Sequence, residues 1–340
     1  MTTLVAVIVF VVCLAGTLGA SELLVRGIDR VSALLRLSRG LIGLLTAVGA
    51  DAPEISSALV AVFAGARDVG VGVILGSNIF NLAVLLGVSA VLAVRVAVAP
   101  DQLKLHGGTA LVITLVGAAF VLHVLSAVLL ITLLLAVFVP YLVVLALRPH
   151  QLSRLPGPLP TLLESLVTRS TEEEDLAEDA TPEAHGASQR GPWRPALLVV
   201  VARGVIVAGS IGLVRSTLTL ADAWGLPHDL VGVFVLAGLT GLPNAYAAAR
   251  LALQGRGPQV VSEAFNSNTI NLLVGIGLPA LVIGPGPTGH YVPLDLAWLL
   301  GMTVLVLLLA RQGGLRRWEG AGIVGAYVLF VLVRVLAPAL

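Results

Sequence analysis

Charge is what this sequence has least of. Asp, Glu, Lys and Arg make up 11% of its 340 residues, where a soluble domain carries about 25%. A single cysteine, Cys13, rules out a disulfide within the chain, and its place inside an apolar run reads as filler. The six histidines fall at expected helix ends or in loops, so no imidazole or thiolate metal centre is expected. No nucleotide-binding loop is present, which argues against ATP hydrolysis. Neither a nucleotide nor a nucleic-acid partner is expected, and no cofactor. The first twenty residues lack a basic n-region, so they read as a first helix rather than a cleaved signal peptide.

What fills the chain is apolar: 57% of residues are hydrophobic and the mean hydropathy is +1.01. Runs of 18 or more apolar residues are each long enough to span a bilayer. The expected fold is an all-α polytopic membrane protein of ten transmembrane helices, with the lipid bilayer as its surroundings. The expected spans are 3–24, 40–66, 70–95, 107–123, 125–147, 195–217, 229–252, 258–283, 293–311 and 320–339.

The net charge of +1 says little, but its placement says more. Sixteen of the twenty basic residues fall in or beside the loops after odd-numbered helices. Only Arg67, Arg215 and Arg334 fall on the other side, and Arg203 lies within a helix. The positive-inside rule then places the N-terminus outside, in the plasma (inner) membrane. Residues 148–194 are Pro-rich and then acidic, and read as a cytoplasmic linker between halves 1–147 and 195–340. The acidic run 172–179 reads as a solvated tether, having no calcium-hand spacing.

Shifting the chain by 190 residues aligns the halves without a gap. Pro53 meets Pro243, and "GSNIFNLAVLLG" (76–87) meets "NSNTINLLVGIG" (266–277). The repeated segments span about 40–95 and 229–283. Five helices per half make the repeats inverted, a layout of secondary transporters with ion sites at the midplane.

Four polar segments mark that midplane: "GADAPE" (49–54), "GSNIFN" (76–81), "LTGLPN" (239–244) and "NSNTIN" (266–271). Each proline removes a backbone donor, and freed carbonyls are tolerated at membrane depth only beside a cavity or ion. The carbonyls of Ala47, Ala50, Ala237 and Thr240 are the oxygen donors expected here. Asp51 and Glu54 share a helix face, as do Ser77 with Asn81 and Ser267 with Asn271. An all-oxygen set of this kind suits hard cations. Neutralisation of the two acids by Arg203 is the alternative, against snorkelling of Arg203 to the helix end. For the Ser and Asn residues, the alternative is helix–helix glue. Glu263, one turn before Ser267, reads as a solvated helix-end acid, with a relay role as its alternative.

At these residues the chain resembles the calcium/cation antiporter superfamily of the sodium/calcium exchanger type. That family pairs a G-[ST/N]-S-x-P-E segment with G-S-N-I-x-N or -D in each of two inverted halves. The resemblance implies antiport of calcium, or another hard cation, against sodium or protons. Carried over by motif position, it implies Ala47, Ala50, Asp51, Glu54, Ser77 and Asn81 in the first half. In the second it implies Ala237, Thr240, Asn244, Ser267 and Asn271. The departures are specific. Asn244 stands where the family has glutamate, Asp51 and Gly241 where it has serine, Leu239 where it has glycine, and Asn266 replaces the glycine of G-S-N. Two acids remain, both on helix two, which suits exchange of one divalent ion for two monovalent ions or protons. A degenerate, non-transporting scaffold and an intramembrane hydrolase using Asp51 and Glu54 are the rival readings; the hydrolase leaves the second polar repeat unexplained. Oligomeric state is left open.

Overall fold

The structure, a computed structural model, describes residues 2–35, 39–146, 193–284, 286 and 289–336. All but two residues of the 148–194 linker lie outside them. Among the described residues, ten apolar elements succeed one another in chain order. They are α1 (Thr3–Leu34), α2 (arms Arg39–Ala50 and Ala52–Phe63), α3 (Arg67–Ala93), α4 (Pro100–Val121) and α5 (Ala127–Ala146). The second half holds α6 (Trp193–Trp224), α7 (arms His228–Thr240 and Leu242–Leu253), α8 (Gly257–Ile283), α9 (Val292–Ala310) and α10 (Arg317–Leu336). Eight are long and apolar enough to span a membrane as they stand, and the two bent pairs make ten. This is the expected all-α polytopic fold in two inverted repeats.

The bends have one cause. Pro53 and Pro243 each sit at the start of a second arm. A ring without an N–H is harmless to the arm it begins and breaks the helix before it. The arms meet at 57° in α2 and 48° in α7, turning at Asp51 and Gly241, 190 positions apart. The repeat extends to a second irregularity. α3 widens to π-helix at Leu82–Val88 and α8 at Leu273–Gly277, just past Asn81 and Asn271.

Burial ranks the helices. In the most apolar stretch of α3, 83% of residues are buried inside the protein, against 17% for α1 and 28% for α6. α3 is therefore the central post, while α1 and α6 pack on each other along the side. Small residues let α3 and α7 touch backbone to backbone. A Cβ on Gly76 would stand 2.2 Å from the Val233 carbonyl oxygen, and one on Gly232 would stand 2.6 Å from that of Val69.

Two features are not expected from the sequence. Residues 95–97 and 314–316 pair as an antiparallel two-stranded ladder, β1 and β2, with Val96 opposite Leu315; the composition of Gln312–Arg317 suggests only a plain turn. Arg334, which the charge pattern places among the flanking cations, is fully buried. Its Nε donates to Asp295 Oδ1 at 2.7 Å, its Nη2 to Asp229 Oδ2 at 2.7 Å, and its guanidinium lies 4.4 Å from the Tyr291 ring centre. α7, α9 and α10 are pinned together at that end.

Gly76→Ala would push a methyl into the α7 backbone, and its expected cost is about 1–3 kcal/mol. Gly16→Ala, with nothing within 4 Å of the added carbon, is expected to be neutral. Thermal unfolding of the two variants in detergent compares them.

Candidate cation site

α3 and α8 cross at their asparagines, and the crossing carries a twofold relation down to single hydrogen bonds. Asn78 Nδ2 donates to the Asn268 carbonyl at 3.2 Å, and Asn268 Nδ2 returns the bond to the Asn78 carbonyl at 3.1 Å. Asn81 Nδ2 donates to Asn268 Oδ1 at 3.2 Å; Asn271 Nδ2 donates to Asn78 Oδ1 at 3.1 Å. Every partner is its counterpart shifted by 190. In the sequence Asn78 and Asn268 stand out only as matched repeat positions, and the structure makes them the glue. Amides answering each other in this way satisfy both donor and acceptor away from water.

Around this crossing the polar groups fall into two sets. In the first, Asp51 is met by two donors. Asn244 Nδ2 donates to its Oδ1 at 2.7 Å, and the Ser267 hydroxyl lies 2.5 Å from both of its oxygens. Asn81 Nδ2 also reaches Ser267 Oγ at 3.1 Å. The second set has no partners. Both oxygens of Glu54, the hydroxyl of Ser77 and Oδ1 of Asn271 are buried without a hydrogen-bond partner. Glu54 is 1% exposed and close enough to Asp51 for their charges to repel. No ion pair among the described residues reaches either acid.

Of the expected carbonyl donors, Ala47, Ala237 and Thr240 are buried and Ala50 is half-buried, and not all are free. Ala47 accepts the Asp51 N–H at 2.9 Å and Ala237 accepts the Gly241 N–H at 3.1 Å. Thr240 is buried with its hydroxyl turned back to the Leu236 carbonyl at 2.7 Å. The carbonyls that lose a donor to proline are those four residues back, Gly49 and Leu239. Ser21 of α1 answers Gly49 at 3.1 Å and Ala50 at 3.3 Å. The position 190 after Ser21 is Ile211, so no such hydroxyl serves Leu239, and among the described residues no side chain donates to it.

Three further residues bear on the sequence expectations. Arg203 is exposed on α6, so it neutralises neither acid. His106 is not at a helix end, because α4 begins seven residues earlier than expected. It is buried, with Nδ1 2.8 Å from the Tyr141 hydroxyl. Tyr141 in turn donates to Asn266 Oδ1, and Asn266 Nδ2 donates to Ser262 Oγ at 3.1 Å. The side chain that replaces a motif glycine is thus held by α4 and α5. Glu263 is half-buried rather than solvated, and Asp51 lies within its electrostatic reach.

Asn78→Ala and Asn268→Ala are expected to destabilise by similar amounts, about 1–3 kcal/mol each, since each leaves buried partners unmet. The double variant is expected to cost less than the sum, because the two share bonds. Unfolding midpoints of the three variants test this.

The family model described as sodium/calcium exchanger protein matches residues 5–157 and 195–336. A putative antiporter, CaxA, of Alkalimonas amylolytica is 27% identical over 342 residues, covering 96% of this chain and 97% of that protein. The sodium/calcium exchanger MaX1 of Methanosarcina acetivorans is 25% identical over 145 residues, which is 40% of this chain and 39% of its own. Among solved structures, the sodium-calcium exchanger NCX_Mj soaked with 2.5 mM Na+ and 10 mM Sr2+ shares the fold. Its TM-score is 0.61 at 19% identity, covering 97% of this chain and 99% of that one. With both halves matched, this chain belongs to the sodium/calcium exchanger family of membrane proteins.

Proposed function

We propose that the protein is a secondary-active antiporter exchanging calcium, or another hard cation, for sodium or protons by alternating access around the central oxygen cluster. The observation that carries this reading is the set of unmet acceptors: both Glu54 oxygens, Ser77 Oγ and Asn271 Oδ1. Buried oxygens without donors, two of them on a carboxylate, are stabilised by a cation or a proton and by little else. Oxygen-only ligands select calcium or sodium over zinc or copper. Two halves, 1–147 and 195–340, would rock about the site with the 148–194 linker in the cytoplasm and the N-terminus outside.

The two acids on one helix need not unbalance the site. Asp51 extends from the α2 bend to within 2.7 Å of Asn244. A carboxylate lost from position 244 is therefore replaced by one approaching from across the contact. The cluster keeps one acid among Asn244 and Ser267 and a second, Glu54, among the unmet oxygens. Ala47, Ala50, Ala237 and Thr240 would add carbonyl oxygens, and Asn81 and Asn271 amide oxygens, as the cargo passes.

The purified chain in sodium-loaded or proton-loaded vesicles is expected to take up calcium, and Asp51→Asn or Glu54→Gln is expected to abolish uptake. Asp51→Ser alone should be inactive, whereas Asp51→Ser combined with Asn244→Glu should regain transport. A double variant as dead as Asp51→Ser overturns the substitution of one acid for the other. No uptake by the unmodified chain favours the non-transporting scaffold.

Two carboxylates balance one divalent or two monovalent ions, so exchange is expected to be electroneutral. An imposed membrane potential should leave the rate unchanged, and net charge driven through the vesicles during exchange would sink that stoichiometry.

A further inference from the structure

The inverted halves match at the centre but not on the way to it. On α8 a polar stripe at four-residue spacing runs Gln259, Glu263, Ser267, Asn271, all on one helix face, with Arg256 at the cap before it. Arg256, Gln259 and Glu263 are half-buried, and Ser267 and Asn271 are fully buried. The stripe thus passes from the end of the helix to the central cluster. Its counterpart on α3, 190 positions earlier, is Val69, Val73, Ser77, Asn81. Val69 and Val73 are 1% and 0% exposed. Along that face no polar group precedes Ser77, and the neighbouring α7 backbone closes on it at Gly76 and Gly232.

Glu263 is the one acid on the α8 stripe. It has no hydrogen-bond or ion-pair partner among the described residues. Arg256, at the cap before the stripe, directs its Nε to Gln259 Oε1 at 2.7 Å. One turn further in, the Ser267 hydroxyl donates to the Asp51 carboxylate. An ionisable side chain at that depth without a partner is expensive unless it serves a passing ion. Two carboxylates at successive depths, with a hydroxyl one turn past the first that bonds the second, suit hand-over of a hard cation from half-wet to dry surroundings.

Resting on the antiporter reading, we propose that Glu263 is a further cation-binding residue. It would capture the cargo from the side where α8 begins and pass it to Asp51, with no equivalent on the opposite side. The Val73 position makes the path one-sided. Affinity for calcium is then set partly by Glu263 at one face of the membrane and not at the other. Glu263 binds in transit and is not part of the central pair.

The test measures calcium exchange in vesicles of both orientations. Glu263→Gln is expected to raise KM for calcium about tenfold on the α8-start side, the order expected for one screened carboxylate charge, with kcat near that of the unmodified chain. KM from the opposite side should not move, and Glu263→Asp should recover most of the loss. Unfolding midpoints of both variants in detergent control for damage to the fold. An unchanged KM on both sides, or an equal rise on both, overturns the role of Glu263 and leaves the antiporter reading standing. No exchange by the unmodified chain in either orientation overturns the antiporter reading, and this role with it.

Discussion

The reciprocal amide pair Asn78–Asn268 sets the register of the whole bundle. A buried side-chain amide that meets no acceptor is costly in an apolar bundle, and each asparagine finds one in the other's main chain across the α3–α8 crossing. That reciprocity fixes how the two repeats meet. Asn81 and Asn271 then reach the pair's own side-chain oxygens, which commits their amide nitrogens to structure. One of the oxygens left over, Asn271 Oδ1, has no donor to meet.

Proline does complementary work at the edge of this centre. By breaking α2 and α7 at equivalent positions, it aims the start of each second arm at the crossing helices. In α2 the break presents Asp51 and Glu54 together. In α7 it presents Asn244, whose amide can donate to Asp51 as a glutamate could not. The serine contact from α8 completes the cradle of Asp51, while Glu54 is left with none. Chemically similar acids three residues apart therefore sit in opposite circumstances, one met by two donors and the other by no partner.

Pseudo-symmetry ends where the environment requires it to. Gly76 permits α3 to lie against α7, but its counterpart Asn266 is a side chain held by Tyr141, itself bonded to His106. Ser21 covers a proline-freed carbonyl in the first half, and Ile211 leaves the equivalent one alone. At the end of the bundle away from the α8 start, Arg334 with Asp229 and Asp295 ties three helices together. A buried triad is weak as a source of stability, yet severing one member strands the others.

Much of this is legible in the residues themselves. Ten apolar segments, the inverted repeat and the polar centre emerge from hydropathy and from an ungapped shift of 190, because a bilayer-scale helix and a buried polar motif each leave a one-dimensional signature. Asp51, Glu54, Ser77, Asn244 and Ser267 can be named for the same reason. The remainder depends on partners far along the chain. That Asn78 and Asn268 are glue, that His106 and Arg334 are buried, and that Glu263 lies within reach of Asp51 are matters of which helix lies opposite. A hydrogen bond between helices far apart in the chain leaves no mark in local spacing. Composition and spacing are enough to identify the residues that cannot be left in lipid without a purpose. Folding alone sorts those satisfied by one another from those whose oxygens stay open, since desolvation falls on each residue singly but is relieved only by neighbours in space.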